Sequence, residues 1–169
     1  SEAGPGDKLL IKNESAGQVQ AEQMARDLGL RVVYAAAPFA AKTVSDIAEY
    51  ADFLVLNTVE AEQVRAALGI ELSGLGIGHV VVTMGGEGSR WIDVAAGNEV
   101  HVPALPVTPV DTTGAGDTFT GYLVAGLDRG MPMAQALSLA TQAGALMVTR
   151  HGTADVIPDL KDIEDARLG

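Results

Sequence analysis

The sequence has 169 residues, of which 47% are hydrophobic and 20% charged, and it contains no cysteine. These values predict one globular domain with a sizeable core, and they exclude a disordered chain, disulfides and cysteine-ligated zinc. The net charge of −11 argues against nucleic acid or an anionic membrane as partners. No apolar run reaches the ~18 residues of a membrane helix, and no signal-peptide pattern opens the chain, so we expect a cytoplasmic protein.

Short apolar runs alternate with helical patterns in the first half of the chain. Strands are predicted over residues 8–12, 31–34 and 52–56, and helices over 16–28, 43–50 and 58–68. This alternation with short connections predicts a parallel sheet covered by helices.

The second half changes from strands to helices. Strands over 79–84, 89–94 and 98–102, separated by glycine turns, predict a β-meander at one edge of the sheet. Helices are predicted over 118–128 and 133–149, and a polar loop with an acidic tail from Arg150 onwards. The expected fold is therefore an α/β three-layer sandwich, with a mostly parallel sheet, helices on both faces and an antiparallel meander at one edge.

One segment, residues 110–119, carries the pattern of an anion site. Gly114 and Gly116 permit unusual backbone angles and close approach of a ligand, just before an apolar helix. The first N–H groups of such a helix are unpaired and bind phosphate without any lysine or arginine. Asp117 has two interpretations that the spacing leaves open: an N-cap of the helix, or a general base for an attacking hydroxyl.

The same segment, Asp-Thr-Thr-Gly-Ala-Gly-Asp-Thr-Phe at 111–119, resembles the C-terminal signature of the PfkB carbohydrate kinase family, and most of all its ribokinase-like members. Residues 54–60 resemble the family's Asn-x-x-Glu motif, and 83–88 resemble its nucleotide-binding turn. Residues 145–152 resemble the segment before its C-terminal end. The resemblance implies an ATP-dependent kinase that phosphorylates a sugar hydroxyl, with D-ribose as the expected sugar of the full-length enzyme.

The resemblance also implies roles for individual residues. Asp117 would take the proton of the sugar hydroxyl, while the main-chain amides of Gly114, Ala115 and Gly116 would stabilise the transferred phosphoryl group. Asn57 would contact the ATP phosphates, and Glu60 would hold Mg²⁺ through water.

Three further groups of residues receive roles in the same way. The nucleotide groove would be lined by Thr83, Gly85, Gly86, Gly88 and Thr141. A monovalent cation, K⁺, would be bound by Asp111 and Thr113 with the carbonyl oxygens of Met147, Arg150 and Gly152. Glu14 would contact the sugar.

Each of these residues also has an ordinary structural interpretation. Asn57 is typical of a helix cap, and Glu60 of a solvated surface charge. The glycines of 85–88 are typical of a hairpin turn, Asp111 of a loop brace, and Glu14 of a first-turn acid.

The resemblance covers only the C-terminal half of the family's longer members. It implies that residues 1–169 form a single domain, the nucleotide-binding and catalytic portion, and that the N-terminal sugar-binding strands and lid are absent. We then expect weak nucleotide binding, little or no kinase activity, and self-association through an exposed sheet edge. The alternatives are a non-catalytic nucleotide-binding or assembly module and, within the family, a fructokinase or a nucleoside kinase.

Overall fold

A six-stranded sheet runs through the computed structural model, which describes residues 3–12, 18–36, 41–152 and 154–168. The strands neighbour one another in chain order, as β1 (Lys8–Lys12), β2 (Arg31–Ala35), β3 (Phe53–Asn57), β4 (His79–Thr83), β5 (Ser89–Asp93) and β6 (Asn98–Val102). β1 and β2 pair in parallel with Lys8 opposite Arg31, and β2 and β3 pair in parallel with Val33 opposite Phe53. The parallel half of the sheet is therefore confirmed.

The strands β4 and β5 form an antiparallel hairpin. The Met84 N–H donates to the Gly88 carbonyl at 2.8 Å, and the Val94 N–H donates to the Gly78 carbonyl at 3.0 Å. Because these bonds join the end of one strand to the start of the other, the chain reverses through the glycine turn at 85–87. The mixed sheet predicted from the sequence is thus confirmed.

In the described part of the chain six helices accompany the strands, and four of them, the first, second, fourth and fifth, start or end at residues other than predicted. They are α1 (Gln18–Asp27), α2 (Ala41–Ile47), α3 (Thr58–Leu68), α4 (Ala115–Asp128), α5 (Met133–Met147) and α6 (Leu160–Leu168). α4 begins three residues before its predicted start, and α5 ends two residues before its predicted end.

Helix α6 contradicts the prediction of a polar tail after Arg150. Asp159 and Asp162 exchange hydrogen bonds between side chain and main chain at 2.8 and 2.9 Å, so they satisfy two N–H groups at the helix start. Ile163 is buried on its inner face. Among the residues of α6 whose burial is described, Ile163 is the buried one, and the segment is too polar to show a helical apolar stripe.

The contacts divide the chain into two compact units, Ser1–Val82 with Arg90–Val100, and Thr83–Ser89 with His101–Gly169. In the first unit, α1 and α3 pack on the sheet, whose central strands bury Val32, Leu54 and Val81. The single domain predicted from the sequence stays a prediction.

The second unit is built on the packing of α4 against α5. Its core contains Leu123, Leu137 and Ala140, and α6 packs against α5. A Cβ atom added at Gly126 would lie 3.1 Å from the Cβ atom of Ala136, so the small residues of both helices permit their close approach. Among the described residues, no helix has the length and apolar character needed to cross a membrane.

Candidate functional site

Helix α4 starts at a glycine that offers no side-chain cap. Gly114 is the N-cap residue, with φ 77° in the left-handed region, and the helix begins at Ala115. The interpretation of Asp117 as the N-cap is therefore wrong, because Asp117 lies inside the first turn. The sequence could not decide this point, since aspartate is a more frequent N-cap than glycine in a left-handed conformation.

The main-chain amides at this helix start are only partly used. The Ala115 N–H donates to the Thr112 carbonyl at 3.3 Å, a long hydrogen bond. The N–H groups of Gly114 and Gly116 donate to no other residue in the part of the chain that the structure describes. A Cβ atom at Gly116 would meet nothing within 4 Å. The turn therefore has both the donors and the space that a bound anion requires.

Asp117 lies on the first turn of α4 and is exposed to solvent. Its neighbours in a groove of the second unit include Tyr122, Arg129 and Leu160. A carboxylate in this position can accept a proton from a hydroxyl that approaches the helix start from solvent.

A cavity of about 260 Å³ adjoins the glycine turn within the second unit. Ala115 and Gly116 form one part of its wall. The rest is lined by Thr83, Gly85, Gly86, Gly88, Ala104, Leu105, Pro106, Val107, Pro109, Thr112, Phe119, Thr141, Gly144, Ala145 and Val148. The structure thus gathers all five residues predicted for the nucleotide groove around one cavity that reaches the predicted phosphate turn.

The glycines of the hairpin turn have different reasons to be glycine. Gly88 has φ 102°, and a Cβ atom there would lie 2.0 Å from the Val102 carbonyl oxygen. Gly85 also has a positive φ, of 57°, but a Cβ atom there would meet nothing within 4 Å. The hairpin-turn interpretation is therefore confirmed, and at Gly88 the packing of the chain itself excludes a side chain.

Thr141 lines the cavity, and its hydroxyl forms a buried pair with the hydroxyl of Ser89, which is not a lining residue. This pair, here named the cavity floor, was not predicted from the sequence. The Thr141 hydroxyl donates to the Leu137 carbonyl at 2.8 Å and lies 2.6 Å from the Ser89 hydroxyl. Ser89 was not predicted to belong to the site. The two residues are 52 positions apart, so no local sequence pattern could have linked them.

Asp111 braces the loop that precedes α4. Its Oδ1 atom accepts the Thr113 N–H at 2.9 Å. The main-chain N–H and the hydroxyl of Thr113 hold the pKa of Asp111 below its usual value, and the Gly152 N–H acts in the same direction. The loop-brace interpretation is confirmed, and the contact with Gly152 brings three of the five predicted cation ligands together.

The other two predicted cation ligands, Met147 and Arg150, are joined by one turn at the end of α5. The Arg150 N–H donates to the Met147 carbonyl at 3.1 Å. The Arg150 side chain binds the Asp162 carboxylate at 2.9 Å and donates to the Val156 carbonyl at 3.1 Å. Helix α6 therefore holds the loop that carries Gly152, a connection that the sequence analysis missed together with the helix.

Asn57 and Glu60, in the first unit, form a capping box at the start of α3. The Asn57 side chain accepts the Glu60 N–H at 2.9 Å, and Glu60 Oε2 accepts the Asn57 N–H at 2.8 Å. The cap interpretation of Asn57 is confirmed. The interpretation of Glu60 as a solvated charge is wrong, because the residue is buried at 9% exposure. Glu14, the predicted sugar contact, lies outside the described residues.

The segment 103–109 forms part of the cavity wall and was not predicted to belong to the site. Prolines at 103, 106 and 109 follow one another at intervals of three, the repeat of a polyproline II helix. Five residues of this segment line the cavity. The proline spacing was the available signal.

Comparisons with known proteins identify the family of the chain. The family model described as pfkB family carbohydrate kinase matches residues 12–160. Ribokinase of Bacillus subtilis (strain 168) is 35% identical over 118 residues, which are 69% of this chain and 40% of that protein.

Solved structures resemble the chain along nearly its whole length. The crystal structure of ribokinase from Thermotoga maritima has a TM-score of 0.84 and 28% identity, covering 96% of this chain and 57% of that one. An E. coli protein assigned as Ribokinase II, solved with ATP and Mg²⁺, has a TM-score of 0.81 and 25% identity, covering 95% of this chain and 58% of that one. The chain thus spans about half the length of the relatives it matches. With 149 consecutive residues inside the family match, it belongs to the pfkB family of carbohydrate kinases.

Proposed function

We propose that this chain is the nucleotide-binding and proton-accepting part of an ATP-dependent kinase that phosphorylates a sugar hydroxyl, with D-ribose as the first candidate substrate. One observation carries the proposal: an apolar cavity opens onto a glycine turn with unused amides, beside an exposed carboxylate on the same helix turn. A nucleotide needs such a cavity for its base and such amides for its phosphates.

The proposed chemistry uses the start of α4. The amides of Gly114, Ala115 and Gly116 stabilise the negative charge on the transferred phosphoryl group, and the Ala115 N–H exchanges its long bond to Thr112 for the phosphate. Asp117 accepts the proton of the attacking sugar hydroxyl. Thr83, Gly85, Gly86, Gly88 and Thr141 line the space for the nucleoside.

Two cations belong to this proposal. Mg²⁺ neutralises phosphate charge when bound, and a carboxylate such as Glu60 suits it as an oxygen ligand acting through water. The capping box engages Oε2 of Glu60 and leaves Oε1 outside it. In the first unit, Asn57 keeps its proposed role toward the phosphates. K⁺ would use the carboxylate of Asp111 with Thr113 and the carbonyl oxygens of Met147, Arg150 and Gly152.

The alternative is a nucleotide-binding or assembly module without turnover. The chain spans 40% of the Bacillus ribokinase and 57% of the Thermotoga ribokinase. In such a module the cavity and the amides would hold a nucleotide, and no sugar would be oriented for attack. Turnover therefore separates the two functions, whereas nucleotide binding does not.

The test compares the chain with its Asp117→Asn variant, using Mg²⁺, ATP and D-ribose and measuring ADP release. Loss of the general base should reduce ribose-dependent turnover by about 10²- to 10⁴-fold, while ADP binding changes less than about twofold. Asp128→Asn, at the other end of α4, is the matched control and should change neither quantity.

Ribose-dependent turnover that Asp117→Asn abolishes supports the kinase. Binding of ADP without turnover favours the module. Full turnover by Asp117→Asn contradicts the proposed base, and failure to bind any nucleotide contradicts both functions.

A further inference from the structure

The hydroxyl groups at the floor of the cavity are committed to the protein. Thr141 is 5% exposed and Ser89 fully buried. A hydroxyl group has one hydrogen, and Thr141 gives its own to the Leu137 carbonyl, which can only accept. Ser89 must then give its hydrogen to Thr141. A base that reaches Thr141 would therefore find an acceptor in its hydroxyl group and no donor there.

The other lining side chains add little that could distinguish one base from another. Among the lining residues that the structure describes there is no charged side chain and no amide side chain. Asparagine and glutamine recognise adenine through a paired donor and acceptor, and arginine and lysine recognise guanine through two donors. None of these arrangements is present, so the lining favours apolar contact with the flat faces of a base.

The hydroxyl groups of Thr83 and Thr112 also line the cavity, and a hydroxyl group can serve as donor or acceptor toward either base. Further polar groups of the wall belong to the main chain of residues 104–107 and its neighbour Thr108. The N–H groups of Ala104, Leu105, Val107 and Thr108 donate to no other residue in the described ranges. Their carbonyl oxygens stand beside them along the same segment. Main chain of this kind offers donors and acceptors in alternation, so it can pair with the amino group of adenine or with the carbonyl group of guanine.

We propose that the cavity accepts adenine and guanine nucleotides with nearly equal affinity, so that the phosphoryl donor is selected by its phosphates and its purine shape. The proposal rests on the proposed function, since it assumes that the base occupies this cavity. Selectivity beyond about 100-fold requires a site whose buried polar groups are left unpaired by the wrong ligand. The closed chain from Ser89 through Thr141 to Leu137 removes that possibility at the floor.

The test is a set of dissociation constants measured by calorimetry on the full chain with Mg²⁺. ADP and GDP should differ by less than about threefold, and ATP should bind at least about tenfold more tightly than inorganic tripolyphosphate, which has no base. A wild-type preference above about tenfold for either base contradicts the inference and leaves the proposed function intact.

A second variant tests the floor directly. Thr141→Asn breaks the hydroxyl chain and introduces a paired donor and acceptor, so it should shift the ratio of the ADP and GDP constants by about tenfold toward adenine. Ser138→Asn lies one turn earlier on α5, outside the cavity lining, and should leave the ratio unchanged.

The remaining outcomes are also decisive. Equal binding of ATP and tripolyphosphate means that the cavity holds no base. It contradicts the inference and the proposed role of the cavity as the nucleoside site, and it leaves only the proposed phosphate site at the start of α4. An unchanged ratio in a folded Thr141→Asn protein contradicts the role of the floor. Absence of binding by ADP, GDP and tripolyphosphate contradicts the inference and the proposed function together.

Discussion

The two units each contain a helix that begins beside a motif of the family, and the two beginnings differ. At α3 the side chains of Asn57 and Glu60 fill the first N–H positions with a capping box. At α4 the cap is Gly114, which makes no side-chain hydrogen bond. Both helices expose the same positive end of the backbone dipole. The comparison teaches that a capped start uses its N–H donors within the fold, whereas a start without a side-chain cap leaves donors that an anion could use.

The largest expected effect on the free energy of unfolding concerns Glu22, an acid of the first unit that takes part in no helix cap. Glu22 of α1 is fully buried, and neither carboxylate oxygen is hydrogen-bonded within the described ranges. Burial raises the pKa of Glu22 to about 7, from 4.5. Because the folded state holds the proton more tightly, the free energy of unfolding falls as pH rises from about 4.5 to about 7, by at most about 3 kcal/mol.

Glu22→Gln should remove this slope. The variant should match the wild type near pH 4.5 and exceed it by up to about 3 kcal/mol at pH 8, measured by urea denaturation at each pH. Glu62→Gln, on the exposed face of α3, is the control: it removes a surface ion pair with Arg65, so its free energy of unfolding should run parallel to that of the wild type across this pH range. If the free energy of unfolding depended on pH in the same way in Glu22→Gln and in the wild type, the prediction would be wrong.

The bare start of α4 can be tested with a pair of glycine substitutions. Gly114→Ala places a side chain at φ 77° with its Cβ atom 3.3 Å from the Met147 methyl group, so it should destabilise the fold by about 1–2 kcal/mol. Gly116→Ala enters open space inside a helix and should stabilise it by about 0.5–1 kcal/mol.

Urea denaturation of both variants checks the signs. Each substitution adds one methyl group to the same turn, so the two differ only in backbone conformation and surrounding space. Equal effects of the two would show that the left-handed conformation of Gly114 does not control the turn.

The capped start of α3 gives the smallest expected effect. Asn57→Ala removes the acceptor for the Glu60 N–H and should lower the free energy of unfolding by about 1 kcal/mol. Thr58→Ala, the next residue, lies outside the reciprocal bonds of the cap and serves as a comparison. A loss below about 0.3 kcal/mol for Asn57→Ala would mean that solvent replaces the cap without penalty.

Sequence reasoning identified the elements whose residues repeat with a clear period. The parallel strands and α3 were predicted within one residue, because apolar runs and Gly69 marked them. Helix α6 was missed because Ile163 is its main buried contact, although Pro158, Asp159 and Asp162 form a cap pattern. The hydrogen bond between Ser89 and Thr141 could not be predicted, because the two residues are 52 positions apart and only the fold brings them together.

Gly88 shows that a residue of a nucleotide-binding motif can be required by the packing of the chain alone. A side chain there would collide with the Val102 carbonyl oxygen and the Ala104 nitrogen, whatever the protein binds. A chain that has lost all chemistry would still need glycine at 88 in order to fold the hairpin. When this motif is used to judge whether a gene product is enzymatically competent, that glycine should therefore carry no weight.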